Sequence, residues 1–394
     1  LLGRYCACGS VWNPAGYEPG GRQQRKAEKT LVKVYRKGQI SDGAKRCMFM
    51  EVKIKKKLER FQLAVEFSSD CRRIGILGAS GSGKSLLLRS LAGVESADEG
   101  KIVICGRTLL DTEQKICEKP QKRKVGYLFQ NYALFPTMTV EENIMAGLLV
   151  SPREKRQKAA QYMEKFQLKG LEKRLPHELS GGQQQRAALA RMMICEPEVI
   201  LLDEPFSALD VYLRDQLQRE MMEFLKEYSG TVILVSHSRD EIYRMSEEML
   251  VMDHGRIVGQ GETKALFQNP RTKVTARLTG CKNIADVQTK EQNEIVVPDW
   301  GIAFPIQNRS TEGIQSVAVR AHEFLIKEEE NCLCFPLQKP IVTEDMFEYN
   351  ISFLASPKGK QRIDWKVSKY LWENAGKIPE RLYLKEEKLL FLYE

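Results

Sequence analysis

The chain contains 394 residues, of which 42% are hydrophobic and 29% are charged. A chain of this length usually folds into two or three domains, and no apolar run approaches the ~20 residues of a membrane-spanning helix. The net charge of +9 would suit a nucleic-acid partner, but residues 1–49 alone carry ten Lys/Arg and only three Asp/Glu. Because the rest of the chain is close to neutral, a nucleic-acid partner is not expected.

Ten cysteines are scattered over the whole chain. Small disulfide-stabilised domains concentrate their cysteines in a short sequence, so this distribution argues against such a scaffold. Two Cys-x-Cys pairs lack further ligands nearby in sequence, and buried or free thiols are expected there instead of a metal site. No basic-then-apolar secretory leader starts the sequence, and a soluble, cytosolic protein is the default expectation.

Residues 1–49 are rich in glycine, arginine and lysine, and they show neither helical nor strand periodicity. The first residue is leucine, whereas Met50 directly precedes a strand-like run at Glu51–Ile54. We hypothesise that Met50 or Met48 is the biological start and that residues 1–49 are a disordered or non-native extension. The mass of the intact native protein would test this hypothesis.

From residue 50 to about residue 260, short apolar runs alternate with helical patterns. The strand-like runs are Ile74–Leu77, Val199–Leu202 and Val232–Val235. The helical patterns cover residues 84–92, 183–194 and 211–228. Continuous apolar runs of this length are typical of parallel strands that are covered on both faces. The alternation predicts an α/β domain over residues 50–265.

The pattern changes in the last third of the chain. Residues 266–284 are interpreted as a linker, and beyond residue 285 short β-like segments are separated by turn residues. These segments are Glu294–Val297, Val317–Arg320, Phe347–Leu354 and Leu389–Tyr393. Closely spaced short strands of this kind predict a small all-β domain over residues 285–394.

A glycine-rich loop joins the predicted strand Ile74–Leu77 to the helix that follows it. The loop consists of Gly78, Ala79, Ser80, Gly81, Ser82, Gly83, Lys84 and Ser85. Its glycines allow backbone N–H groups to close around phosphate oxygens, and the helix N-terminus contributes its positive dipole end. Lys84 is placed to reach the β- and γ-phosphates of a nucleotide, and Ser85 is placed to ligate Mg²⁺. A chance turn would not combine these positions with a strand–loop–helix context.

A second predicted strand ends in two acidic residues, since Asp203 and Glu204 directly follow Val199–Leu202. Asp203 is placed to hold the Mg²⁺ shell, and Glu204 is placed to act as general base towards the attacking water. Taken alone, an acidic residue after a strand is also a common helix N-cap. The phosphate loop in the same chain favours the catalytic interpretation.

Two further segments carry polar groups at the ends of predicted elements. His237 follows the apolar run 231–236, at a position where ligands bind in open α/β sheets. A capping or packing histidine would give the same pattern. Ser180, Gly181 and Gly182 precede a helix, where hydroxyl and N–H donors form a second anion site. A Gly-Gly helix start by itself would be weak evidence for such a site.

Together these residues resemble the ATP-binding-cassette (ABC) ATPases, with a dense match from about residue 50 to 265. In that family Gly78–Ser85 corresponds to Walker A, and Asp203 with Glu204 corresponds to Walker B and the catalytic carboxylate. The resemblance implies an α/β P-loop ABC ATPase fold with a helical subdomain at about residues 131–185. It also implies ATP hydrolysis as the activity.

The remaining family motifs occur in the family's order. Leu179–Gln183 matches the signature sequence, and Ser207–Asp210 matches the D-loop. Gln130 matches the Q-loop glutamine, and His237 matches the switch histidine that is expected to contact the γ-phosphate. Phe61 is the best candidate for the aromatic residue that stacks on adenine, with a core phenylalanine in a strand as an equal alternative.

The resemblance implies that ATP and Mg²⁺ are the cofactors and that two copies pair head to tail. Each ATP would lie between Walker A of one copy and Ser180–Gly182 of the other, with Asp210 also at the nucleotide. Ser85, Gln130 and Asp203 are the expected metal ligands. ATP would close the dimer, and hydrolysis would reopen it.

The chain holds one cassette with no fused membrane span and no long heptad insertion, which argues against the translation-factor and DNA-repair branches of the superfamily. The family then implies separate permease subunits, with an extracellular substrate-binding protein as an indirect partner. Tyr132, Leu134, Phe135 and Met138 form an apolar stretch suited to permease docking, unless they pack inside the helical subdomain. The protein would lie at the cytoplasmic face of the cell membrane.

The importer subtype is suggested by less specific motifs. Gly126–Pro136 and Asp203–Asp210 are similar to importers of oxyanions, polyamines, iron and sugars. Leu278–Asn283, Val319–His322 and Trp365–Ser368 resemble the tail of molybdate-importer ATPases, which is a small TOBE/OB-like β-barrel. The leading hypothesis is the ATPase subunit of a molybdate or tungstate importer. The alternatives are an importer of sulfate or another small solute, an oxyanion-sensing ATPase, and a soluble ATPase without a transport role.

Overall fold

The structure is a computed structural model that describes residues 49–207, 211–291, 294–307, 309–375 and 378–393. The predicted extension over residues 1–49 therefore lies outside the described residues, apart from Phe49. None of the helices in the described ranges is both long enough and apolar enough to cross a membrane.

Strands and helices alternate in the N-terminal part, after an antiparallel start. In chain order the elements are β1 (Met50–Leu58), β2 (Phe61–Ser69), β3 (Arg73–Gly78), α1 (Lys84–Ala92), β4 (Glu99–Ile104), β5 (Arg107–Asp111), β6 (Ile116–Cys117), β7 (Val125–Leu128), α2 (Val140–Met145), α3 (Pro152–Lys165), α4 (Gly181–Met193), β8 (Val199–Asp203), α5 (Val211–Glu227), β9 (Thr231–Ser236), α6 (Arg239–Met245), β10 (Glu248–Asp253), β11 (Arg256–Glu262) and α7 (Thr263–Gln268). The predicted α/β character is confirmed.

A six-stranded sheet in the order β11–β10–β3–β9–β8–β7 forms the centre of this part. All neighbouring strands are parallel except β10 and β11. Every residue of β8 and β9 is buried, as expected for parallel strands with both faces covered. The three strands predicted from continuous apolar runs are thus confirmed, and they bring the ends of β3, β8 and β9 to one edge of the sheet.

A second, antiparallel sheet has the order β2–β1–β4–β5–β6. Buried and exposed residues alternate along β1 and β2, because one face of this sheet packs on the core and the other faces solvent. The shared core contains Val52, Ile54, Leu63 and Val65 from this sheet and Ile76 from β3. The antiparallel sheet therefore covers the strand that leads into the phosphate loop.

The helical subdomain consists of α2, α3 and α4. Each of these helices starts with a capping box, in which Thr139, Ser151 or Ser180 exchanges hydrogen bonds with a Glu or Gln three residues later. Such reciprocal bonds satisfy two N–H groups that a helix start otherwise leaves open. The local sequence thus fixes where these helices begin.

The C-terminal part is built mainly from short antiparallel strands. In chain order its elements are α8 (Lys273–Leu278), β12 (Asn283–Asp286), β13 (Gln288–Glu291), β14 (Glu294–Val297), β15 (Ile302–Pro305), β16 (Ser316–Val319), β17 (Cys332–Pro336), β18 (Gln338–Glu344), β19 (Glu348–Leu354), β20 (Ile363–Ser368), α9 (Lys369–Ala375), β21 (Arg381–Lys385) and β22 (Leu390–Leu392). The strands predicted here are confirmed to within one or two residues at their ends.

These strands form four small sheets, namely β12–β16–β22, β13–β14–β15, β17–β21 and β18–β19–β20. They share one core, in which Trp300, Phe335, Phe353 and Trp365 are almost completely buried. The segment interpreted as a linker, residues 266–284, contains the end of α7, the whole of α8 and the start of β12.

Candidate nucleotide site

The phosphate loop between β3 and α1 is shaped by glycines that leave no room for a side chain. A Cβ atom on Gly78 would lie 2.6 Å from Ser82 Oγ and would also collide with the carbonyl oxygen of Met252. Gly83 has φ +101°, and a Cβ there would lie 2.8 Å from Phe61 Cζ. Gly83 is also the N-cap of α1 and provides no side-chain cap. The first N–H groups of α1 are therefore available to an anion.

Lys84 lies inside this loop and is 5% exposed. Its Nζ donates to the carbonyl oxygens of Gly78 and Ala79, both at 2.8 Å. Burial lowers the pKa of Lys84, while the charges of Glu204 and Asp203 act in the opposite direction. The ammonium group is thus held by weak neutral acceptors in a site where two carboxylates favour its charged form.

Asp203 ends β8 beside the loop, and both of its carboxylate oxygens accept hydrogen bonds. Ser85 Oγ donates to Asp203 Oδ1 at 2.8 Å, and Tyr127 Oη donates to Asp203 Oδ2 at 2.7 Å. The structure therefore brings together the serine and the aspartate that the sequence predicts as metal ligands. It adds the phenol of Tyr127, which the sequence analysis did not identify.

Glu204 and His237 meet at the same edge of the sheet. His237 Nδ1 lies 3.3 Å from Glu204 Oε2, and the backbone N–H of Glu204 donates to the Val235 carbonyl at 3.0 Å. Glu204 has φ +47°, a left-handed conformation that is uncommon outside glycine and is often associated with functional sites. This backbone bend turns the Glu204 side chain towards the end of β9.

Gln130 and Ser207 extend this network. Gln130 Nε2 donates to Ser207 Oγ at 3.2 Å, and Ser207 Oγ donates to the Glu204 carbonyl at 3.0 Å. Gln130, which the sequence predicts as a metal ligand, thus bonds to Ser207. The carboxylate of Asp203 instead accepts hydrogen bonds from Ser85 and Tyr127. Asp210, which the sequence places at the nucleotide, lies outside the described residues.

The segment Ser180–Gly182 makes its contacts with neighbouring residues of α4 and α5. Ser180 Oγ accepts from Gln183 N at 3.4 Å and caps α4, and Gly182 packs against Leu213 and Leu217 of α5. In the described ranges, no hydrogen bond joins this segment to the phosphate loop. Ser180 is exposed at the start of α4.

The residues at the loop fit a nucleotide phosphate with a hard divalent cation. Ser82 Oγ is buried and has no partner among the described residues, and a buried hydroxyl of this kind calls for a polar ligand. The serine and aspartate oxygens at 2.8 Å from each other belong to the donor type that Mg²⁺ prefers. The described residues contain no cluster of three or more His, Cys, Asp or Glu side chains that could hold a metal ion.

Comparison with known proteins agrees with this site. A family model described as "ABC transporter" matches residues 65–207. The sulfate/thiosulfate import ATP-binding protein CysA of Mesorhizobium japonicum is 38% identical over 287 residues, which cover 70% of this chain and 81% of that protein. The Vibrio cholerae CysA is 36% identical over 71% of this chain and 74% of its own length. The putrescine transport ATP-binding protein PotG of Escherichia coli is 36% identical over 64% of this chain and 68% of its own length.

The chain belongs to the ABC transporter ATPases. The predicted fold class is thereby confirmed, with the C-terminal β-sheets as an addition to the ATPase fold. The predicted enzyme class is confirmed as well, because this ABC ATPase binds ATP and couples its hydrolysis to transport. Its relatives named above include importers, and the molybdate specificity expected from the tail motifs is not among their named substrates.

One sequence interpretation, the apolar docking stretch, changes in the structure of this ABC ATPase. Of the apolar stretch predicted for permease docking, Tyr132 is 4% exposed and Leu134 packs against the core, whereas Phe135 and Met138 are 42% and 38% exposed. Tyr132 and Ala133, with φ +59° and +45°, form a left-handed turn at this point. The stretch therefore offers two exposed apolar side chains and not four.

Phe61 lies beside the phosphate loop of the ABC ATPase. Its ring is half-buried and approaches Gly83, so the adenine and core interpretations of this residue are both compatible with its position. Tyr127 lies three residues before Gln130, and the structure places it on β7, a strand that the sequence analysis did not predict. Its contact with Asp203 depends on the pairing of β7 with β8, which periodicity alone does not give.

Proposed function

We propose that this chain is the ATP-hydrolysing subunit of an importer for a small tetrahedral oxyanion, with sulfate or thiosulfate favoured over molybdate. The observation that carries this proposal is the extent of the match to the CysA proteins. An alignment over 70% of this chain is longer than the predicted ATPase domain, residues 50–265, so the matched residues extend beyond that domain. The similarity to sulfate/thiosulfate import proteins is therefore not confined to the ATPase part.

Within the nucleotide site, we assign the roles by geometry. Lys84 exchanges the carbonyl oxygens of Gly78 and Ala79 for the β- and γ-phosphate oxygens, which are stronger acceptors because they are charged. Ser85 and Asp203 hold the metal from one side. Bound Mg²⁺ would neutralise charge that develops on the phosphate oxygens during phosphoryl transfer.

Glu204 is the proposed general base. Its carboxylate accepts a proton from the attacking water, and His237, 3.3 Å away, orients that carboxylate and contacts the γ-phosphate. Gln130 reaches this centre through Ser207 and is proposed to report nucleotide binding to the helical subdomain. The bent backbone at Glu204 keeps these groups together.

The complete site is proposed to need a second copy. Ser180–Gly182 of the partner copy would donate to the γ-phosphate, because in one chain this segment caps its own helix and does not bond to the phosphate loop. Asp210 would lie at the same junction. A head-to-tail dimer of this kind is the arrangement that would place an anion-binding helix start on each side of the nucleotide.

The partner in the membrane is proposed to be a separate permease, since no described helix suits a membrane. Phe135 and Met138 are exposed apolar side chains on the segment after Gln130, which suits a docking surface next to the nucleotide site. The chain would then work at the cytoplasmic face of the membrane. An extracellular binding protein would deliver the solute to the permease.

Uptake by cells that carry the complete transporter tests the substrate. Labelled sulfate should enter with the wild-type ATPase and fail to enter with Lys84→Ala. Lys53→Ala, which removes an exposed lysine paired with Glu66, is the matched control and should keep uptake. Uptake of molybdate in place of sulfate would favour the interpretation drawn from the tail motifs, and uptake of putrescine alone would contradict the oxyanion proposal.

A further inference from the structure

Each of the two carboxylate oxygens of Asp203 accepts a hydrogen bond from a hydroxyl group. Asp203 is 7% exposed, and Ser85 donates to Oδ1 while Tyr127 donates to Oδ2 at 2.7 Å. A carboxylate that is bonded through one oxygen only can still rotate about its last torsion, for which the energy wells are broad. A donor on each oxygen fixes that torsion.

Tyr127 reaches Asp203 because β7 and β8 are parallel neighbours. Tyr127 lies opposite Leu201, which is two residues before Asp203. The ring is half-buried and leans on Phe129, with 4.3 Å between the ring centroids. The ring of Tyr127 thus packs against Phe129, while its hydroxyl donates to the Asp203 carboxylate.

The phenol O–H of Tyr127 donates to the Asp203 carboxylate at 2.7 Å. A neutral phenol with a carboxylate acceptor forms a charge-assisted hydrogen bond, which is stronger than a bond between two neutral groups.

We propose that Tyr127 is a positioning residue for the divalent cation, because its phenol holds the Asp203 carboxylate with Oδ1 turned towards Ser85 and the phosphate loop. The inference rests on the proposed function, in which Ser85 and Asp203 hold the metal. Groups that hydrogen-bond to a metal ligand typically change metal affinity or activity by about 10–100-fold when they are removed. Tyr127 lies on β7, and Gln130 follows three residues later along the same segment.

Binding of Mn²⁺ to the full-length chain with ADP tests this inference. The ion is counted by the loss of its free-ion EPR signal, and ADP affinity is measured separately in the presence of EDTA. Tyr127→Phe should weaken Mn²⁺ binding about 10-fold and should leave the metal-free ADP affinity unchanged. ATPase turnover of the variant should then need about 10-fold more metal for half-saturation and should recover at high metal concentration.

Tyr132→Phe is the matched control. Tyr132 is 4% exposed, and its hydroxyl has no partner among the described residues. The substitution therefore removes a tyrosine hydroxyl five residues further along the chain without changing a contact to Asp203. This variant should bind Mn²⁺ like the wild type.

The results separate the inference from the proposed function. Wild-type Mn²⁺ affinity in Tyr127→Phe would overturn the positioning role. Equal losses of ADP affinity with and without metal would also overturn it, since the phenol would then support the loop as a whole. If the wild-type chain itself bound ADP without any effect of the metal, the assignment of Ser85 and Asp203 would fail instead, whatever the variant did.

Discussion

Replacing Glu204 by glutamine removes the proposed base while changing the shape of the side chain very little. Glu204 is 20% exposed at its side chain and lies 3.3 Å from His237 Nδ1, and an amide of the same length keeps that contact. The left-handed backbone at this position, φ +47°, is equally strained for Glu and Gln. The loss should therefore be catalytic. A missing general base costs roughly 10²–10⁴-fold in rate, or about 3–5 kcal/mol in activation free energy.

Phosphate release measures this loss, and gel filtration with ATP measures the state of association. Glu204→Gln should bind ATP, release phosphate at least ~100-fold more slowly and accumulate as a dimer. The control is Glu66→Gln, which alters an exposed carboxylate paired with Lys53 and should leave turnover unchanged. Turnover within about 3-fold of the wild type would refute the base assignment, because the loss of a general base typically costs about 100-fold or more. A variant that fails to bind ATP would refute the expectation that glutamine preserves the shape of the site at position 204.

Three further substitutions probe the support of the site. Gly83→Ala should lower the free energy of unfolding by about 1–3 kcal/mol in urea titrations, because φ +101° excludes most side chains and the new Cβ meets Phe61. Arg123→Ala should lower the thermal midpoint through a loss of about 3 kcal/mol. Arg123 is 4% exposed and donates to the carbonyl oxygens of Ser90 and Leu91 in α1 and to that of Glu118, which follows β6. Burial raises the pKa of Glu241 above 4.5, so the wild type should lose stability relative to Glu241→Gln as pH rises through that raised pKa. Urea titrations at pH 4.5 and 7.5 check the sign, and a constant difference would contradict it.

The parts of the fold that follow from short-range chemistry are those that the sequence predicts. The continuous apolar runs of β3, β8 and β9 indicate strands buried on both faces, and every residue of β8 and β9 is buried in the structure. The start of α4 at Ser180 follows from a capping box that lies within four residues. The loop Gly78–Ser85 is likewise recognisable from its own residue types.

Features that depend on pairing between distant segments are not predictable in the same way. The contact between Tyr127 and Asp203 requires the register of β7 against β8. Tyr132 is buried at a turn in which two successive residues, Tyr132 and Ala133, are left-handed. Arg320 donates to the carbonyl oxygen of Thr279 and also to that of Phe267, which joins the C-terminal sheets to the end of the ATPase part. A sequence pattern records neither the register nor these long-range bonds.

The charges around Lys84 bear on how the Glu204 variant should behave. Burial disfavours the ammonium form of Lys84, and the charges of Glu204 and Asp203 favour it. A nucleotide brings several negative charges into the same space, so Glu204 opposes phosphate binding while it supports the lysine. Neutralising Glu204 removes a repulsion from the incoming phosphates, and the phosphates themselves then replace the lost support for Lys84. Retained or tighter ATP binding together with lost turnover is therefore the pattern that this charge arrangement requires.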